Sequence, residues 1–117
     1  MSNLITGKSG TEHFMLQSIT ALVLIPLVFW FCLSLAFLPN ANYTTVLAWL
    51  SSPFNGVLMI VTLIAGFYHA SLGMTTIYED YISAHSTRKT AIIITNVVLF
   101  LCAIIGVLSM LKLLITS

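Results

Sequence analysis

The chain has 117 residues, of which 59% are hydrophobic and 6% charged, with a formal net charge of +1. A soluble domain carries roughly 25% charged residues, so no soluble surface can be assembled here, and no basic patch for nucleic acid exists. Positions 13–78 form a run of 66 residues without Asp, Glu, Lys or Arg, and a second such run spans Thr90 to Leu111.

A membrane-spanning helix needs about 20 mainly apolar residues, because the hydrocarbon core is roughly 30 Å thick and each residue rises about 1.5 Å. After an N-terminal segment over residues 1–18, the first span is expected at 19–38, Ile19 to Leu38. Pro26 can bend that helix, and neighbouring helices can satisfy the carbonyl it frees. The stretch is longer than the apolar core of a signal peptide and ends in Phe37-Leu38-Pro39, so it reads as a retained span. The segment before it lacks the arginine-rich character of a transit peptide.

Pro39-Asn40-Ala41-Asn42 favours a turn at the membrane surface, opening an outer loop over 39–53 with a short interfacial segment. Ser52-Pro53 then offers an N-cap hydroxyl and a proline suited to a first helical turn, and the second span covers 54–79. An inner loop over 80–89 leads to a third span at 90–114. The expected fold is therefore all-α, an integral membrane protein with three transmembrane helices. With three spans, Lys8, Arg88 and Lys89 share one side against Lys112 alone on the other, which puts the N-terminus inside by the positive-inside rule. Tyr43 and Trp49 would sit at the outer interface, Tyr78 and Tyr81 at the inner one.

Few polar groups remain to carry chemistry. Cys32 and Cys102 lie on different spans without metal-ligand spacing and read as small apolar residues. His69 falls near mid-membrane, about 11 residues or roughly 16 Å from Asp80. An ionisable residue at that depth marks a functional site, and the plain alternative is a neutral histidine bonded to another helix. On a helical wheel Thr62, His69, Thr76 and Asp80 align, flanked by Ala65, Gly66 and Gly73. Such a face serves close helix packing, or it clears space for a flat ring held on the histidine nitrogen. Haem is the obvious ring, and a bis-histidine haem would need its second ligand from another chain.

At the inner end of the same helix stands Tyr78-Glu79-Asp80-Tyr81, with Glu12-His13 and Arg88-Lys89 on the same side. A solvated helix end with interfacial aromatics explains these residues. They would also suit a quinone headgroup, whose carbonyls need a donor such as a phenol and whose protons need a relay such as a carboxylate.

His69-Ala70-Ser71-Leu72-Gly73-Met74, followed by Asp80-Tyr81, resembles the hydrophobic membrane anchor, or D-type subunit, of succinate dehydrogenase. Gly10-Thr11-Glu12-His13-Phe14, with Gln17 and Thr20-Ala21, resembles the alphaproteobacterial and mitochondrial-type members. The resemblance implies a non-catalytic anchor in a multi-subunit enzyme of the bacterial inner membrane, or alternatively the mitochondrial one. It implies three protein partners: a C-type cytochrome b anchor subunit, an iron–sulfur subunit and a flavoprotein subunit. It further implies that His69 is an axial ligand to the iron of a shared haem b, and that Tyr81 and Asp80 bind ubiquinone as substrate. Members of this type commonly carry an arginine after the glutamine at the first helix, associated with the haem propionates. Ser18 stands there in this chain, which leaves propionate neutralisation to His13 or the partner subunit. A fumarate reductase anchor and a small non-redox membrane protein or transporter are the rival readings.

Overall fold

In the computed structural model, which describes residues 10–40 and 42–116, the chain is all-α. Three long helices, α1 (Gly10–Ala36), α3 (Pro53–Tyr81) and α4 (His85–Thr116), are each long and apolar enough to cross a membrane. The short α2 (Tyr43–Ser51) joins the first two. At 1.5 Å per residue the long helices measure roughly 40 to 48 Å, so each overreaches the roughly 30 Å of hydrocarbon at its ends. Hydropathy marks only the buried stretch. The helices continue beyond it because nothing in Thr11-Glu12-His13 or Arg88-Lys89 breaks them.

Pro26 lies inside α1, and the helix continues through it without interruption. The helix stops where Pro39 cannot extend it, and Asn40 takes a left-handed conformation, φ 51°, that asparagine tolerates better than most residues. Ala41 and Lys8, both used in the expectations above, lie outside the described residues. Asn42 caps α2, its side-chain oxygen accepting from the Thr45 amide and hydroxyl, each at 2.9 Å. Trp49 of α2 stacks on Trp30 of α1, centroids 5.3 Å apart, with Phe31 tilted against it at 6.0 Å. These rings tie the outer loop to the first span.

Ser52 occupies the N-cap position of α3 with Pro53 in the first turn, but its hydroxyl makes no capping bond. The expected side-chain cap is therefore absent. Ser52 is the single residue between two helices, and its backbone serves both: its N–H donates to Trp49 O and its carbonyl accepts from Gly56 N at 2.8 Å. At the inner end α3 runs on through Asp80 and Tyr81, so only residues 82–84 connect it to α4. Arg88 secures this turn, donating to Ile82 O at 3.5 Å and to His85 Nδ1 at 3.1 Å.

Helix α3 is central, with α4 and α1 packed against roughly opposite sides of it. The α3–α4 seam buries Leu72, Thr75, Ile92 and Met110. Gly56 lets Leu114 approach the α3 backbone, and Gly106 does the same for Leu63. Hydrogen bonds cross this seam from Ser71 Oγ to Asn96 Oδ1 at 2.6 Å and between Tyr78 Oη and Thr95 Oγ1 at 2.8 Å. Tyr78 thus spends its hydroxyl inside the hairpin, whereas an interfacial belt residue would turn it to the headgroups.

Candidate functional site

The α1–α3 seam is polar where an intramembrane seam need not be. Because the helices run antiparallel, α1 positions 13, 17, 20 and 24 meet α3 positions 76, 73, 69 and 66 in descending order. Among the described residues, two rungs and one diagonal carry hydrogen bonds. His13 Nε2 lies 2.9 Å from Thr76 Oγ1, Thr76 donates to Gln17 Oε1 at 3.5 Å, and His69 Nδ1 lies 2.8 Å from Thr20 Oγ1. Each links residues about 50 to 60 positions apart, so together they fix the rotation and register of α1 on α3.

His69 is half-buried, and Nε2 makes no hydrogen bond among the described residues. Gly66 and Gly73 flank it. A Cβ at either would meet only Leu24 or Gln17, each at 4.0 Å, an ordinary contact. Packing inside this chain therefore does not require glycine at 66 or 73, in contrast to Gly56, where a Cβ would collide with Leu114. The small-residue face is partly lined by α1, through Leu24 beside Gly66 and Gln17 beside Gly73. A flat group held on Nε2 fits these residues: a nitrogen whose partner position is open, with side-chain-free backbone one turn away on either side.

His13 is 7% exposed, and its Nδ1 is buried without a hydrogen-bond partner among the described residues. Its ring is on the same seam as His69, two rungs nearer the inner end. Ser18 is half-buried on α1, and its hydroxyl makes no hydrogen bond among the described residues. Asp80 and Tyr81 close α3, both exposed, with Tyr81 at 83%. Neither side chain makes a hydrogen bond or ion pair among the described residues. Tyr81 lies 12 residues from His69, roughly 18 Å along the helix, so the structure does not bring the two pairs into one pocket. Glu79 is half-buried and engaged. A groove of about 780 Å³ lies on the other side of α3, against α4, over the Ser71–Asn96 pair.

Among the described residues no three His, Cys, Asp or Glu side chains converge as a metal site. An axial haem ligand requires only one such donor from a chain. Sequence reasoning named Thr20 and Gln17 only as part of a resemblance, and did not see that they hold His69 and Thr76. A polar residue at every third or fourth position of an apolar span was the available signal, since 13, 17 and 20 share one face.

Residues 2–105 match the model of the succinate dehydrogenase/fumarate reductase transmembrane subunit. A succinate dehydrogenase hydrophobic membrane anchor subunit of Rickettsia conorii is 37% identical over 92 residues, covering 78% of this chain and 73% of the relative. That of Rickettsia bellii is 33% identical over 105 residues, covering 85% and 84%. The succinate dehydrogenase membrane anchor subunit of Reclinomonas americana is 29% identical over 111 residues, covering 86% and 92%. The family match takes in all of α1 to α3 and most of α4, including His69, Asp80 and Tyr81; the chain belongs to the succinate dehydrogenase/fumarate reductase family of membrane-anchor subunits.

Proposed function

We propose that this anchor is the D-type subunit of a succinate:quinone oxidoreductase, that it contributes His69 to a haem b shared with a C-type anchor subunit, and that it completes a ubiquinone site with Tyr81 and Asp80. The observation that carries the reading is His69 itself. It is the one histidine deep in a span, it is held by Nδ1 while Nε2 has no partner among the described residues, and it lies between two glycines that internal packing does not need. When bound there, haem would supply a one-electron carrier within the bilayer. The relatives named above are succinate dehydrogenase anchors, which favours the succinate direction over fumarate reduction.

The protein groups divide the work by depth. His69 ligates and orients, and Gly66 and Gly73 leave room for a ring plane. His13, enclosed against Thr76 with Nδ1 buried and without a partner among the described residues, is the candidate for meeting the propionate side that Ser18 cannot neutralise. At the inner surface the Tyr81 phenol can donate to a quinone carbonyl, and the Asp80 carboxylate can orient the headgroup or pass protons from water. The flavoprotein and iron–sulfur subunits would dock on this inner side, where the α3–α4 turn and the start of α1 lie together.

Affinity purification of the chain from its native membrane tests the assignment. A flavoprotein, an iron–sulfur protein and a second small membrane subunit are expected to copurify, with a b-type haem spectrum that His69→Ala removes. Tyr81→Phe should slow quinone reduction while leaving succinate oxidation by a soluble artificial acceptor intact. Equal rates with both acceptors would remove Tyr81 from the site.

A further inference from the structure

The hydroxyl of Thr20 is close to three acceptors at once, and it has one hydrogen. It lies 2.8 Å from His69 Nδ1, 2.9 Å from Leu16 O and 3.0 Å from Gln17 O. If that hydrogen goes to Nδ1, the imidazole proton must sit on Nε2, where it meets no acceptor among the described residues. An N–H left without a partner in a bilayer is costly. If the hydroxyl instead donates to the carbonyls one turn back, as threonines in helices do, its lone pairs face Nδ1 and the imidazole proton sits there. Every N–H and O–H is then satisfied, and only the Nε2 lone pair is left over.

We propose that Thr20 is a positioning residue that locks His69 in the Nδ1–H tautomer and turns its Nε2 lone pair outward as a ready-made metal donor. The inference rests on the haem reading for the identity of the metal, and on the Thr20 geometry for everything else. Ligating histidines characteristically donate their second ring N–H to an acceptor, which fixes the ring and raises its basicity. Thr20 is well suited because it cannot drift: the His13–Thr76 and Gln17–Thr76 contacts hold α1 in register one and two turns away. A more basic ring favours oxidised iron, so loss of the hydroxyl should raise the haem midpoint potential. It should also weaken haem retention by about 10–100-fold, the usual effect of removing such an outer partner.

The test uses the assembled complex with Thr20→Val, which keeps the branched shape, and Thr20→Ser, which keeps the hydroxyl. Haem per complex and the midpoint potential are measured on each. Thr20→Val is expected to lose haem or show a raised potential, with Thr20→Ser near native. Native behaviour in Thr20→Val, or equal damage in Thr20→Ser, would overturn the proposal. A second readout needs no haem and no variant of Thr20: nitrogen NMR of the complex freed of haem, with labelled histidine, the His69 signal identified by its loss in His69→Gln. A proton on Nδ1 supports the assignment, and a proton on Nε2 refutes it. A native complex that lacks haem but shows Nδ1–H would sink the haem reading while upholding the role of Thr20.

Discussion

Glycines in the spanning helices differ in what a methyl group would meet, and the difference separates those that packing within the chain requires from those it does not. At Gly56 a Cβ would collide with the Leu114 side chain, and at Gly106 it would come within 3.2 Å of Leu63. At Gly66 and Gly73 it would touch Leu24 or Gln17 at 4.0 Å. In a helix interior alanine is favoured over glycine by about 0.8–1.0 kcal/mol, whereas overpacking costs about 1–3 kcal/mol. Gly56→Ala should therefore lower the temperature at which the purified complex dissociates. Gly73→Ala should leave that temperature unchanged or raise it, and should nevertheless reduce haem content, because the added methyl stands one turn from His69. Equal thermal losses in the two variants would show that both glycines serve packing alone.

At the scale of elements, the α3–α4 hairpin is joined by the Tyr78–Thr95 and Ser71–Asn96 bonds over an otherwise apolar seam. Interhelical hydrogen bonds in membranes average only about 0.6 kcal/mol, so Tyr78→Phe should assemble and lose little thermal stability. The pair Tyr78→Phe and Thr95→Val should lose less together than the sum of the two single losses, since both remove one bond; additive losses would deny the contact. The first two spans were legible in the sequence because the charge-free run from 13 to 78 is too long for one helix and is interrupted by Pro39 and by Ser52-Pro53, and the third because the run from 90 to 111 is itself long enough to cross. His69 was legible by depth, and Asp80-Tyr81 by position at a helix end. The pairing of Thr20 with His69 was not. It depends on how two helices 49 positions apart are rotated and staggered, and no spacing within either helix encodes that. Ser52 failed as a side-chain cap for a related reason, since its role is set by two helices meeting and not by the local S-P signal.

The molecule as a whole has almost no interior of its own. Its long axis measures 50 Å against 24 and 21 Å across, and large apolar side chains such as Leu22, Phe29, Phe100 and Ile105 are exposed along the spans. Lipid or other helices must cover them, and the orientation of insertion decides which end of the bundle faces the cell interior. That orientation rests on few charges: Lys8, Arg88 and Lys89 on the side of the N-terminus, Lys112 on the other. Since cytoplasmic loops retain the excess of Lys and Arg, the α3–α4 turn should be internal and α2 external. With Cys32 and Cys102 replaced by serine, Ser86→Cys in intact cells should resist a membrane-impermeant thiol reagent, and Thr44→Cys should react; the reverse pattern would invert the topology. Replacing Arg88 and Lys89 by glutamine leaves one basic residue on each side. Both reporter cysteines should then label partially, as molecules insert in either direction, and haem and copurifying subunits should fall in proportion to the inverted fraction.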